Sequence, residues 1–186
     1  MCCSRTLKVL LVVLFSLFLS GSLWARKPIE MPANFGTDEW AIANYQDAVN
    51  YLHYLSERKT RQALVSVPDN LRLEAWQQFW KKLDPVSKTP ENEYQIEYFA
   101  RIRYANEHYT TNLQPGWLTD RGEAYVRLGA PKDIEKFTMR ARGRDIEVWE
   151  YWAPREVQLF FYDRTGVGDF FLLNPADMME EVFIGR

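Results

Sequence analysis

The chain has 186 residues, with 23 Lys and Arg against 25 Asp and Glu, and a formal net charge of −2. That balance excludes bulk nucleic-acid binding, which requires a basic face. The two cysteines are Cys2 and Cys3, so no later residue can supply a disulfide, a thiol nucleophile or a thiolate metal ligand.

The N-terminus follows the order of an export signal. Arg5 and Lys8 are basic, Val9 to Leu19 is apolar apart from Ser16, and Ser20, Gly21 and Ser22 are small. Residues 1–25 are therefore expected to be a signal peptide, with Ala25 the last residue before cleavage. The apolar core is shorter than the ~18 residues a membrane span needs. Leu23 stands where such a site usually has a small residue, so the alternative is an uncleaved anchor running to Trp24. No cysteine follows the core to carry a lipid. The expected location is the periplasm or the extracellular space.

Residues 26–36 contain two prolines and a glycine without a clear period and read as an extended lead-in. The rest, 37–186, is expected to be one domain, with a helical half over 37–113 and a mostly β half over 114–186. Thr37 or Asp38 can cap a first helix, along which Ile42, Tyr45, Val49, Leu52 and Leu55 recur at helical spacing. The polar run Glu57, Arg58, Lys59 and Arg61 ends it. Ser66-Val67-Pro68-Asp69 opens a second helix carrying Leu73, Trp76, Trp80 and Leu83, which Asp84-Pro85 stops. Thr89-Pro90 opens a third, with Thr89 as cap and Ile96, Phe99, Ile102 and Ala105 on one side.

Gln114-Pro115-Gly116 breaks the helical pattern. Thr119 to Leu128 reads as a short helix ending at Gly129, although Tyr125 to Leu128 also fits a strand. Asp133–Thr138, Glu147–Trp152, Val157–Tyr162 and Asp169–Leu173 are short runs rich in valine and aromatics, separated by turns, as in an antiparallel meander. Asn174-Pro175 can start a C-terminal helix through Glu181. The fold class is α+β, about three N-terminal helices packed on a meander of three to four strands.

Gly116-Trp117-Leu118-Thr119-Asp120, followed by Arg121-Gly122, resembles the signature of the GWxTD domain family. Phe79-Trp80, Leu83-Asp84-Pro85 and Thr89 to Glu93 lie upstream in that family's order. Tyr125 to Pro131, Val148 to Trp152 and Phe160 to Asp163 lie downstream. Leu83 departs from the pattern, which tends to have arginine before Asp-Pro. The resemblance implies a bacterial, exported protein and no particular reaction. Residues 116–131 with Trp149-Glu150-Tyr151 and Phe160 to Asp163 are also similar to small lipoproteins of the outer-membrane β-barrel assembly machinery. Those have a short helix, a Gly-x-Pro turn and a small antiparallel sheet.

Trp117, Thr119, Asp120 and Arg121 are the first candidates for a binding site. They form a polar cluster presented by a loop, or Trp117 plugs the helix–sheet junction, Thr119 or Asp120 caps a helix and Arg121 pairs with a carboxylate. The second reading is the simpler. Lys136, Arg140, Arg142 and Arg144 make a basic stretch at the first hairpin, able to meet anionic headgroups or an acidic partner, or merely a solvated loop.

His53 and His108 are the only histidines, and no metal-binding or serine-hydrolase spacing surrounds them. Glu91, Glu93, Glu97 and Asp84 resemble a solvated helix face more than an acid–base pair. Asp163 and Asp169 flank a glycine-containing turn that lacks the ligand alternation of a calcium loop. No catalytic residue, metal or cofactor is expected. Aromatics make up 15% of the chain, more than a core of this size needs, so a wet aromatic sheet face is expected. These features favour a non-catalytic interaction domain of the bacterial cell envelope with a protein partner. The alternatives are a metal-independent hydrolase using Asp120 with a helix glutamate, or carbohydrate binding by the sheet aromatics.

Overall fold

A computed structural model describes residues 29–86, 88–139, 144–152 and 156–173. The fold is α+β. Helices α1 (Asp38–Ala43), α2 (Tyr45–Tyr51), α3 (Arg58–Val65), α4 (Arg72–Lys81), α5 (Glu93–Tyr109) and α6 (Asp120–Leu128) precede strands β1 (Asp133–Met139), β2 (Arg144–Tyr151), β3 (Val157–Asp163) and β4 (Phe170–Leu173). The strands form one antiparallel sheet in the order β1-β2-β3-β4. The expected signal peptide and the expected helix after Asn174 lie outside the described residues.

The first expected helix starts where the sequence indicates, with the Thr37 hydroxyl accepting the Trp40 N–H at 3.2 Å. It does not run unbroken. Asn44 donates to the Trp40 carbonyl from both its backbone N–H and its side-chain amide, each at 3.0 Å. An asparagine that competes for helix carbonyls ends the helix, and α2 restarts behind it before closing in a 3₁₀ turn over Leu52–Tyr54. The lead-in also differs from an extended chain. It turns over residues 33–36, where Gly36 has φ 87° and Phe35 is buried.

The polar run at Arg58 does not merely end a helix; it builds α3. One buried apolar residue, Leu64, fixes that helix to the core, and its carbonyl accepts the Tyr45 hydroxyl at 3.1 Å. The third expected helix is capped by Asn92 rather than Thr89. Asn92 accepts the Gln95 N–H at 2.9 Å and donates to the Trp80 carbonyl at 2.8 Å, which ties α5 to the end of α4. The Thr89 hydroxyl faces its own loop, bonded to the Val86 carbonyl at 2.7 Å.

The helical core is aromatic. Phe35, Trp40, Trp76, Trp80 and Phe99 meet largely edge to face, with Phe35 and Trp40 centroids 4.6 Å apart, a geometry that the ring quadrupoles favour. Alternation along β2 and β3 puts Trp149, Tyr151 and Phe161 on the face toward the helices. Tyr109 of α5 meets Trp149 at 5.4 Å, and the Tyr151 hydroxyl donates to the Gly129 carbonyl at the end of α6.

Candidate functional site

Residues 116–122 form a knot between α5, α6 and the sheet. Gly116 opens a 3₁₀ turn over Gly116–Leu118 that lies directly on α5. A Cβ on Gly116 would overlap the Ala105 carbonyl oxygen, and one on Gly122 would overlap the Gly116 carbonyl oxygen. Only glycine permits such close backbone approach. The Gly116 N–H donates to the Thr110 hydroxyl at 2.9 Å, and the Trp117 N–H donates to the fully buried Asn106 side chain at 3.1 Å.

Trp117 packs its ring against the end of α2 and the 3₁₀ turn behind it. Its ring lies 4.9 Å from Tyr51 and 5.8 Å from Tyr54, and its carbonyl accepts the Tyr54 hydroxyl at 2.8 Å. Thr119 is 2% exposed. Its hydroxyl donates to the Gly116 carbonyl at 2.8 Å and accepts the Gly122 N–H at 3.0 Å, capping α6. The helical reading of residues 119–128 is the one the chain adopts.

Asp120, half-buried, reaches the sheet. Its carboxylate accepts the Leu172 N–H at 2.6 Å. Arg121, with its side chain 12% exposed, lies between the Tyr109 ring at 5.2 Å and the Phe170 ring at 4.0 Å. Its guanidinium donates to Glu147 at 3.3 Å and to the Gly168 carbonyl at 3.1 Å. Glu147 also accepts the Trp149 indole N–H and pairs with Lys136, both at 3.1 Å.

The carboxylates around Arg121 differ in character. Burial alone would raise Glu147, but Arg121, Lys136 and the Trp149 N–H outweigh it and hold its pKa below the ordinary value. Asp163 is buried too, yet N–H groups of Gly168, Gly166 and Thr165 and the Thr165 hydroxyl lower its pKa. Those bonds fold the β3–β4 turn around one carboxylate, so Asp163 organises a hairpin. Asp169 is shifted upward, first by burial and then by the nearby charges of Asp163 and Asp120.

Arg140 and Arg142 lie outside the described residues. Arg144 opens β2, and its guanidinium lies against Gly166 in the β3–β4 turn. His53 meets Tyr54 and Trp117 edge-on, and the His108 ring stacks on Tyr104 at 3.9 Å. Among the described residues, no three His, Cys, Asp or Glu side chains converge as metal ligands. No described helix is long and apolar enough to cross a membrane.

Sequence reasoning passed over Glu147 and Asn106. Glu147 shares its strand face with Trp149 and Tyr151, so alternation places it inside. Nothing in the sequence marks Asn106 as the partner of the Trp117 N–H.

Away from the knot, a groove of about 700 Å³ runs along α5. Phe35, Phe99 and Ala100 line it with Ile96, which is 54% exposed, and Tyr104; Arg103 and Asp38 add charge. The arrangement is an internal scaffold beside an open, mixed apolar and charged concavity.

No curated protein and no solved structure matches the chain. The model of the GWxTD domain matches residues 36–180. That span takes in the knot, α1 to α6 and the whole sheet, and the chain belongs to the GWxTD domain family.

Proposed function

We propose that the chain is an exported, non-catalytic interaction domain of the bacterial cell envelope, which takes a protein partner in the groove along α5. One observation carries this reading. The polar groups of Thr119, Asp120 and Arg121 are bonded to the fold itself, while the concave apolar surface lies elsewhere. A hydrolase using Asp120 needs that carboxylate facing a substrate and within proton-transfer distance of it. Here it accepts a sheet N–H. The groove mixes aromatic and aliphatic lining with the exposed side chains of Glu91 and Glu107, a composition suited to a partner's side chains. Export rests on the basic, apolar and small order of residues 1–25.

The test is affinity capture from envelope extract with the tagged chain, beside Ala100→Trp, which fills the groove from an exposed position. The expected result is a partner held by the native chain and lost by Ala100→Trp, with the thermal midpoint unchanged. Hydrolytic turnover abolished by Asp120→Asn at unchanged stability would overturn the reading. A precursor of unprocessed mass in exporting cells would overturn the cleaved signal.

A further inference from the structure

Helix α5 carries a second stripe beside the face that it buries. Ile96, Ala100, Arg103, Tyr104 and Glu107 recur at spacings of three and four, so they share one arc of about 100° and line the groove. Ile96, Ala100 and Tyr104 are exposed and form an apolar row. The charge beside that row is unbalanced, with Asp38, Glu91 and Glu107 lining the groove against Arg103 alone. Asp38 and Arg103 are bound into the fold. Asp38 accepts from the Trp76 indole and from the Gln77 and Gln95 amides, and Arg103 donates to the Pro32 and Ala33 carbonyls. Glu91 and Glu107 are exposed, and among the described residues neither carboxylate has a partner.

We infer that the groove takes an amphipathic helix of a partner protein, apolar on one face and carrying Lys or Arg near both ends. The inference rests on the groove being the partner site and adds what kind of partner that is. A helix suits the site because the wall it meets is itself a helix. The backbone groups of α5 are spent on its own turns, so an extended segment would gain no ladder bonds here, whereas a helix satisfies its own. Apolar side chains at spacings of three and four seat against the row of Ile96, Ala100 and Tyr104. The charges set the ends. Glu91 lies just before the Asn92 cap and Glu107 in the last turn of α5, so two unpaired carboxylates stand at opposite ends of the groove, roughly 20 Å apart along the axis. A helix of about fourteen residues covers that distance. Basic residues at its ends meet these carboxylates at the rim, where charge chiefly sets partner choice and association rate. The same carboxylates repel nucleic acid and anionic lipid surfaces.

The experiment uses the chain purified from exporting cells and a pair of labelled synthetic helical peptides of about fourteen residues. Both carry leucine along one face; the first has lysine at both ends, and the second has glutamate there. Fluorescence anisotropy is expected to show the lysine peptide bound about tenfold tighter than the glutamate peptide. Glu91→Lys with Glu107→Lys should reverse that order, and Ala100→Trp should remove the binding of both. Glu74→Lys with Glu135→Lys, at exposed positions outside the groove, should leave the order as it is. Thermal midpoints of these variants should match the native chain, since every substituted residue is exposed. Equal affinities for the two peptides, no binding of either, or an order unmoved by the groove reversal would overturn the inference. So would a concentration-dependent dimer that Ala100→Trp dissolves, which assigns the groove to a second copy. In the envelope capture, a partner lost by Ala100→Trp but kept by Glu91→Lys with Glu107→Lys would overturn this inference alone and leave the groove as the partner site.

Discussion

The Asp120 carboxylate accepts the Leu172 N–H at 2.6 Å across 52 positions of sequence. It fastens the first turn of α6 to the last strand of the sheet, and its charge also suits the positive end of that helix. Asp120→Ala is expected to lower stability by about 1–2 kcal/mol, read as a shift of the urea midpoint. Hydrogen exchange at Leu172 should accelerate with it. Unchanged protection at that amide would show that the bond does not form.

Thr119 caps α6 with its hydroxyl. Thr119→Ala should destabilise by about 1–2 kcal/mol, and Thr119→Ser should recover most of the loss, because the hydroxyl and not the methyl makes the bond. Equal midpoints for the two variants would assign the effect to packing.

The glycines of the knot and those of the β3–β4 turn should respond differently. Gly116→Ala and Gly122→Ala drive a methyl into a backbone carbonyl that neighbouring helices hold fixed, and each should cost about 3 kcal/mol or more. Gly168 has open space around it but a φ of 86°, so Gly168→Ala should cost only about 1 kcal/mol of backbone strain. Thermal unfolding of the three variants separates the two mechanisms.

Acidification should destabilise the fold through two carboxylates. Glu147 and Asp163 have lowered pKa values in the folded chain. Each adds stability above its unfolded pKa, ordinarily 4.5 and 3.8, and that stability is lost as pH falls through the lower folded value. Asp169 acts in the opposite sense, because its folded pKa is raised. Its ionised form costs stability at neutral pH, and the cost disappears on protonation. Urea midpoints across this range should fall with pH. Asp169→Asn should raise the neutral plateau and steepen the fall, and Glu147→Gln should flatten it.

Arg121 is held between two rings and pairs with a nearly buried carboxylate. Removing one member of such a pair strands the other, so Arg121→Ala should cost about 3 kcal/mol. Arg121→Lys should recover only part, since an ammonium cannot fork between Glu147 and the Gly168 carbonyl. Denaturant titration of both variants checks the order.

The sheet was readable because alternation is local. The valines and aromatics of β2 and β3 mark the strands, but with Ile146 to Trp149 buried in succession they do not mark which face turns inward. The helix breaks were not. Asn44 splits α1 from α2 by bonding back to one carbonyl, a choice that any exposed asparagine leaves open until packing decides it. α3 has too polar a sequence to stand out, and Leu64 is its one buried residue. At the candidate site, Thr119 as cap follows from residue type. The partners of Asp120 and Arg121 lie on α5, β2, β4 and the turn before β4, so only the tertiary fold reveals them.

The bond from Asp120 to Leu172 has a consequence for association between chains. β4 is an edge strand, and free N–H groups along such an edge invite another molecule's strand to add to the sheet. The Leu172 N–H already has an acceptor in α6. The first turn of that helix therefore acts as a guard rail on this edge, discouraging another strand from pairing with β4.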